Sequence, residues 1–274
     1  MAKRELFVRE KMACAGSIKQ YNKLLLTRIL INEPVIIWVT SGKKTLRQAS
    51  KEIEVNAGEF ILIAAEQTFD VLNEPDSHSG VYSADWISFS KEVIELFSTE
   101  YGLEKSIVDS YYLLKDVHHF DKAFNYTLDI IRDHKISQDI LKIRLYELLM
   151  WLKCCKVSFN PYHALTLSQE ISKIILSDVT MKWNAPMIAN RLNVSEATLR
   201  RNLSKEDNSF QKLLVDVRMT RALTLLQVTE WAISQIAYAV GYDSPSRFTA
   251  RFKQRFGFVP SDVRTPILTS PEIG

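Results

Sequence analysis

The sequence predicts an α+β chain: a β-rich N-terminal part backed by helices, then an all-α part with two helix-turn-helix units joined by one long helix. Three observations carry this. Up to about residue 90, short segments rich in β-branched and aromatic residues alternate with turn signals. After Ser90 the apolar period changes from that of strands to that of helices. In the last third, two apolar helices each end at a small turn, and a second helix opens on a serine, Ser195 or Ser244.

The strands are expected at Leu24 to Ile31, Val35 to Val39, Lys44 to Ala49, Phe60 to Ala64 and Gly80 to Phe89, with turns such as Asn32-Glu33-Pro34 and Asn56-Ala57-Gly58 between them. Short strands at this spacing make a sandwich, a jelly roll or a small barrel. Val93, Ile94 and Phe97 open the helical region, which continues through Phe120 to Ile131 and Ile136 to Leu152. In the last of these, Ile140, Ile143, Leu148 and Leu152 form a stripe wide enough for either a core helix or a self-association seam, so a homodimer is one expectation. The span 158–166, containing Asn160-Pro161, is the expected linker. It divides residues 1–157 from residues 167–274, which on the readings that follow are expected to be a regulatory or dimerisation domain and a DNA-binding domain.

The helix-turn-helix units run from about Pro186 to Glu206 and from about Ile233 to Phe256, and an uninterrupted apolar rhythm from Phe210 to Leu226 predicts the joining helix. A helix of about 20 residues spans about 30 Å, close to the ~34 Å between successive major grooves on one face of B-DNA. In the first reading helix, Leu199 and Leu203 point inward and leave Ala197, Arg200 and Arg201 outside. In the second, Phe248, Phe252 and Phe256 make the inward face and leave Ser246, Arg247 and Ala250 outside. Arginine forks match guanine edges and lysine suits phosphate. The expected base readers are therefore Ala197, Arg200, Arg201, Ser246, Arg247 and Ala250, and the expected backbone contacts Ser195, Thr198, Lys205, Ser244, Arg251 and Lys253. An ordinary solvated cationic face is the competing reading of either helix taken alone.

Charge agrees with double-stranded DNA as partner. Residues 1–164 carry 21 Lys/Arg against 22 Asp/Glu, whereas residues 165–274 carry 14 against 10. No apolar run reaches the ~20 residues a membrane span needs, and the charged N-terminus lacks a secretory apolar core. Three cysteines, two of them adjacent, make a poor disulfide framework. A cytoplasmic protein is the expectation. The five histidines, His78, His118, His119, His134 and His163, do not form a ligand cluster, and no phosphate loop or catalytic motif is present. No enzyme, metal or cofactor is expected.

Arg218-Met219 with Ala222, the run Ile233 to Tyr242, Phe248, Phe252-Lys253 and Gly257 to Pro260 resemble the AraC/XylS family of bacterial transcription regulators. The likeness covers roughly residues 166–265 and is specific in the order and spacing of its elements. Val55 to Ile63 is similar in style to the family's cupin-like jelly roll, and the architecture most resembles the ToxT/Rns-type enteric virulence regulators. The resemblance implies a sequence-specific DNA-binding activator of virulence-type genes that works with RNA polymerase. It also implies a small-molecule effector: some members hold a fatty acid between the two domains, its carboxylate met by lysines. Here Val35 and Gln227 align with those lysines, and Lys23, Arg28, Lys43 and Lys44 are substitute cations among which the sequence does not choose. Trp38, Phe60, Phe69 and Trp86 are expected in the sandwich core. The alternative reading is a jelly-roll small-molecule-binding protein whose helical tail makes protein contacts.

Overall fold

The computed structural model describes residues 6–115, 118–161 and 165–265. The β-rich part runs β1 (Leu6–Arg9), β2 (Ala13–Gln20), β3 (Leu24–Ile31), β4 (Val35–Ser41), β5 (Lys43–Gln48), β6 (Lys51–Asn56), β7 (Phe60–Ile63), β8 (Gln67–Glu74) and β9 (Tyr82–Phe89). Then come α1 (Lys91–Tyr101), β10 (Ser106–Val108), β11 (Tyr111–Leu114), α2 (Phe120–Arg132), α3 (Gln138–Cys154) and β12 (Val157–Phe159). The helical part holds α4 (Leu167–Ser177), α5 (Ala185–Arg191), α6 (Glu196–Lys205), α7 (Phe210–Val228), α8 (Ile233–Ala239) and α9 (Pro245–Phe256), closed by a 3-10 turn at Pro260–Val263.

Two sheets form the sandwich, one in the order β1-β2-β9-β4-β7-β11 and the other β3-β8-β5-β6. The larger sheet is buried on both faces. Along β4 and β7, Val35, Ile37, Ile61 and Ile63 point between the sheets, while Ile36, Phe60 and Leu62 point outward against α1, α2 and α3. A strand covered on both sides reads as a continuous apolar run, and β7 is Phe-Ile-Leu-Ile. The five expected strands are all present within one or two residues. Those missing from the expectation have weak signals: β2 is Ala-Cys-Ala-Gly-Ser-Ile, and β6 and β8 alternate with charged or polar residues. The small residues of β2 have a purpose. A Cβ on Gly16 would sit 3.0 Å from the Trp86 ring, so glycine lets that indole lie close on its neighbouring strand and any larger residue would press it away.

Two expectations need correction. Strand β12 pairs in parallel with β10 and is buried, so residues 158 and 159 belong to this core; residues 162–164 of the expected linker lie outside the described residues. In α3, Leu148 and Leu152 are fully buried against α2 and the large sheet, whereas Ile140 and Ile143 are 46% and 61% exposed. The four do not share one face. The wide stripe arises because Leu141, Leu145, Leu148, Leu149 and Leu152 fill the core.

Helix α7 belongs to two cores at once. Leu213, Leu214 and Val217 pack with α4, α5 and α6, whereas Met219, Ala222, Leu223, Leu225 and Leu226 pack with α8, α9 and the interior of the sandwich. Its apolar residues therefore surround it and do not form one stripe.

Because Leu148 lies in a closed apolar layer, Leu148→Glu will strand a charge without a partner and destabilise the fold by several kcal/mol. Ile143→Glu, on the exposed face, will leave stability within about 0.5 kcal/mol of wild type. Thermal unfolding followed by circular dichroism checks both.

Candidate nucleic-acid interface and interdomain cavity

The two helix-turn-helix units are built alike. At the first turn, Asn193 takes a left-handed conformation (φ 53°) and the Val194 amide donates to the Ala189 carbonyl at 3.0 Å. At the second, Gly241 does so (φ 81°) and the Tyr242 amide donates to the Ala237 carbonyl, also at 3.0 Å. Asparagine and glycine are the residues that tolerate this backbone. Gly241 has a further constraint, since a Cβ there would meet Arg218 Nη2 at 2.6 Å and the Val179 carbonyl at 2.8 Å. Arg218 in turn donates to the carbonyls of Val179 (3.2 Å) and Met181 (2.9 Å), tying α7 to the segment before α5.

The reading helices start where the capping serines predict. Ser195 Oγ accepts from the Thr198 amide at 3.1 Å, and Ser244 Oγ from the Arg247 amide at 3.5 Å. Leu199 and Leu203 in α6, and Phe248, Phe252 and Phe256 in α9, are buried. Ala197, Arg200, Arg201 and Lys205 on α6 are exposed, as are Ser246, Arg247, Ala250 and Lys253 on α9. Among the described residues, Arg200, Arg201, Lys205, Arg247 and Lys253 make no ion pair. Thr198 is half-buried and bonded to Ser195 Oγ (2.9 Å), and Arg251 is half-buried with Nη1 donating to Gln254 Oε1 (2.9 Å).

Arg255, on the same helix, has a different role that the charge pattern hides. Its side chain is 6% exposed, and Nε donates to Asp216 Oδ1 on α7 at 2.7 Å. Nη1 and Nη2 donate to Thr27 Oγ1 and the Thr27 carbonyl, both at 2.8 Å. Those acceptors face α9 because β3 bulges between Leu26 and Ile29, with Arg28 at φ 49°. Arg28 adds a second bond to Asp216 Oδ1 at 2.8 Å. The signal available in the sequence was position: Arg255 directly precedes the last phenylalanine of the inward stripe.

Between the sandwich and α7 lies a cavity of about 560 Å³. Leu26, Ile37, Leu46, Phe69, Val71 and Trp86 line the sheet side, and Val217, Thr220, Arg221, Leu223, Thr224 and Gln227 line the α7 side. Trp38 and Phe60 stack between the large sheet and the helices, outside the sandwich interior where they are expected. Phe69 and Trp86 instead combine packing with a place on the cavity wall. Val35 and Gln227 both reach the cavity, without a charge. Of the four substitute cations, Lys23 pairs with Glu74 (2.5 Å), Lys43 with Glu54 (2.7 Å) and Arg28 with Asp216 (2.8 Å). Lys44 alone of the four lines the cavity. It is 4% exposed, and its Nζ donates to Asn73 Oδ1 at 2.7 Å. Burial pulls its ammonium down to about 7. Burial likewise pushes the Cys14 thiol up to about 11 and raises the Glu33 carboxyl. His78, His118, His119 and His134 are exposed, and His163 lies outside the described residues. No helix among the described residues is long and apolar enough to cross a membrane.

Residues 188–265 match the helix-turn-helix domain family and residues 34–154 match the ExsA N-terminal regulatory domain. Residues 188–265 thus carry a helix-turn-helix domain, in line with the AraC/XylS resemblance of the sequence. Similar proteins include the transcriptional regulator SirC of Salmonella typhimurium, 41% identical over 96 residues, which are 35% of this chain and 32% of SirC. The activator FapR of Escherichia coli is 30% identical over 51% of this chain and 56% of its own length. The virulence regulon activator VirF of Shigella flexneri is 21% identical over 85% of this chain and 92% of its own. The chain thus spans about a third of the length of SirC and just over half that of FapR. Among solved structures, an apo ToxT variant from Vibrio cholerae superposes with a TM-score of 0.69 at 18% identity, covering 93% of this chain and 97% of that one.

Two outcomes follow from the buried charges. Arg255→Ala will leave Asp216 with Arg28 as its remaining partner and the bulge carbonyls without a donor, costing about 3 kcal/mol in urea unfolding. An unfolded lysine stays protonated to about 10.4, so between pH 7 and 9 the unfolded chain holds a proton that folded Lys44 has released. Stability will therefore gain on the order of 1 kcal/mol per pH unit across that window from this group, and Lys44→Met will abolish the gain. Urea midpoints measured at pH 7, 8 and 9 test this.

Proposed function

We propose that this chain is a sequence-specific DNA-binding transcription activator acting in the cytoplasm, by binding and not by catalysis. The observation that carries the reading is the pair of serine-capped helices, α6 and α9, each with unpaired cations on its outer face and both packed on the 19-residue α7. A helix of that length runs roughly 28 Å, which suits two readers on successive major-groove segments of one face. In this reading Ala197, Arg200, Arg201, Ser246, Arg247 and Ala250 meet base edges. Ser195, Thr198, Lys205, Ser244, Arg251 and Lys253 meet the backbone, with Arg251 and Thr198 acting from half-buried positions. The names of FapR and VirF support activation of virulence-type genes, with RNA polymerase as the partner such activation needs.

The division of labour falls after β12, with sensing by the sandwich and the helices packed on it and DNA reading by residues 167–274. The cavity is the effector site of this proposal. ToxT has been solved bound to (E)-4-(8-methylnaphthalen-1-yl)but-3-enoic acid and to an unsaturated fatty acid, which supports a small-molecule effector for a chain of the same fold. Ile140 and Ile143 remain as the exposed apolar pair of α3 for pairing of two chains.

Arg201→Ala or Arg247→Ala will cost about 1–3 kcal/mol on the preferred site and relax selection at one base step. Lys253→Ala will weaken binding on every sequence and lower the salt slope by about one. Competition binding on preferred and random duplexes over a salt series separates the two effects. An unchanged preferred-to-random ratio in the arginine variants rejects the base-reading assignment. Binding that does not depend on salt rejects DNA as the partner in favour of a ligand-binding protein with a helical protein-contact tail.

A further inference from the structure

A second cavity, of about 450 Å³, opens between the sandwich, the start of α1 and helix α4. Three carboxylates from three separate elements stand on its wall. Glu33 comes from the β3–β4 turn, Glu66 from the β7–β8 turn and Glu92 from the first turn of α1. Two lysines share the wall, and both are engaged. Lys91 pairs along its own helix with Glu95 at 3.3 Å, and Lys173 on α4 meets Glu66 Oε1 at 3.0 Å. Lys173 therefore answers one carboxylate of three, and two negative charges are left over.

Glu66 is 5% exposed, yet its Oε2 has no hydrogen-bond partner. Asn32 Oδ1, buried on the same wall, has none either. Both open atoms are acceptors, so whatever completes the site must bring donors. Burial raises the Glu33 and Glu66 carboxyls above the usual carboxylate range, and Glu33 adds its charge to the rise at Glu66. The wall is thus short of positive charge. Among the described residues no acidic group converges closely enough to hold a metal ion, whereas Pro34, Ile94, Pro161 and Leu176 give the cavity apolar surface suited to methylenes. We propose that this cavity binds a short aliphatic diamine, one ammonium held by Glu66 Oε2 and Asn32 Oδ1 and the second charge answering Glu33 and Glu92. Two leftover negative charges match a dication. The site is also a joint: Gln169 Nε2 donates to the Glu66 carbonyl at 2.9 Å, so the same turn anchors α4, the helix that opens the DNA-reading part. The proposal rests neither on DNA reading nor on the cavity beside α7.

The test titrates full-length protein by calorimetry at physiological salt with putrescine and with butylamine. Wild type should bind one putrescine, at least fivefold more tightly than butylamine. Glu66→Gln should weaken putrescine at least tenfold. Lys173→Met, which removes the internal competitor for Glu66 from a partly exposed position, should tighten it severalfold. Glu52→Gln, on the edge strand β6, should leave it unchanged. Circular dichroism checks each fold, and the opposite sign of the Lys173 arm decides the matter should Glu66→Gln fail to fold. The proposal is overturned if wild type binds no putrescine, if Glu66→Gln binds it as wild type does, or if Lys173→Met weakens it. Displacement of putrescine by an equal concentration of magnesium, the mark of diffuse counterion binding, overturns it as well.

Discussion

Helix α7 is the constraint on which the other elements depend. Its first half is the floor of the first helix-turn-helix unit, and its second half is shared by the second unit and the sandwich. The same backbone supplies one wall of the cavity. A rod with 3.6 residues per turn cannot shift to accommodate one neighbour without moving its contacts with the others. The polar ties repeat this logic. Arg218 joins α7 to the approach to α5, Asp216 joins it to Arg255 on α9, and Arg264 reaches from beyond α9 to the carbonyls at the end of α7. Reading helices, joining helix and sheet are thus held by one set of contacts.

On the proposed reading, such an arrangement gives a ligand in the cavity a short route to the DNA-facing side. The bulge in β3 lies beside the cavity through Leu26 and Ile29, and its carbonyls hold Arg255. A molecule pressing on that wall acts on the acceptors of a buried guanidinium one strand away, and on α7 directly through Thr220, Leu223 and Gln227. Coupling between cavity and reader then needs no long chain of intermediates, since both sites bias the same packed element.

Much of this was legible in the sequence where local chemistry decides. The serine caps, the left-handed turn residues and the four-residue spacing of Phe248, Phe252 and Phe256 fix both reading helices without help from distant parts of the chain. What could not be read depends on what folds against what. Strand β2 reads weakly because its residues are small, Ala13 and Ala15 packing under the helices and Gly16 lying against the Trp86 ring. Strand β12 hides in an apparent linker because its pairing partners on β10 lie 51 positions earlier. Arg255 looks like one more surface cation, and only the bulge in β3 makes it an internal fastener. Lys44 was one of four equivalent candidates until the sheet register placed it opposite Asn73 and Val55 and turned it inward.

The turn geometry has a last consequence. The two units match at a spacing of 48 residues through their turns, Ala189 with Ala237 and Asn193 with Gly241. From the caps onward, Ser195 with Ser244 and Leu199 with Phe248, the spacing is 49. The second turn holds one extra residue, and the side chains at equivalent outer positions differ, Arg201 against Ala250. Two unlike readers on one rod have no internal two-fold axis. On the proposed reading, the DNA they recognise is therefore not a palindrome but a sequence with a direction, and a single bound chain distinguishes upstream from downstream.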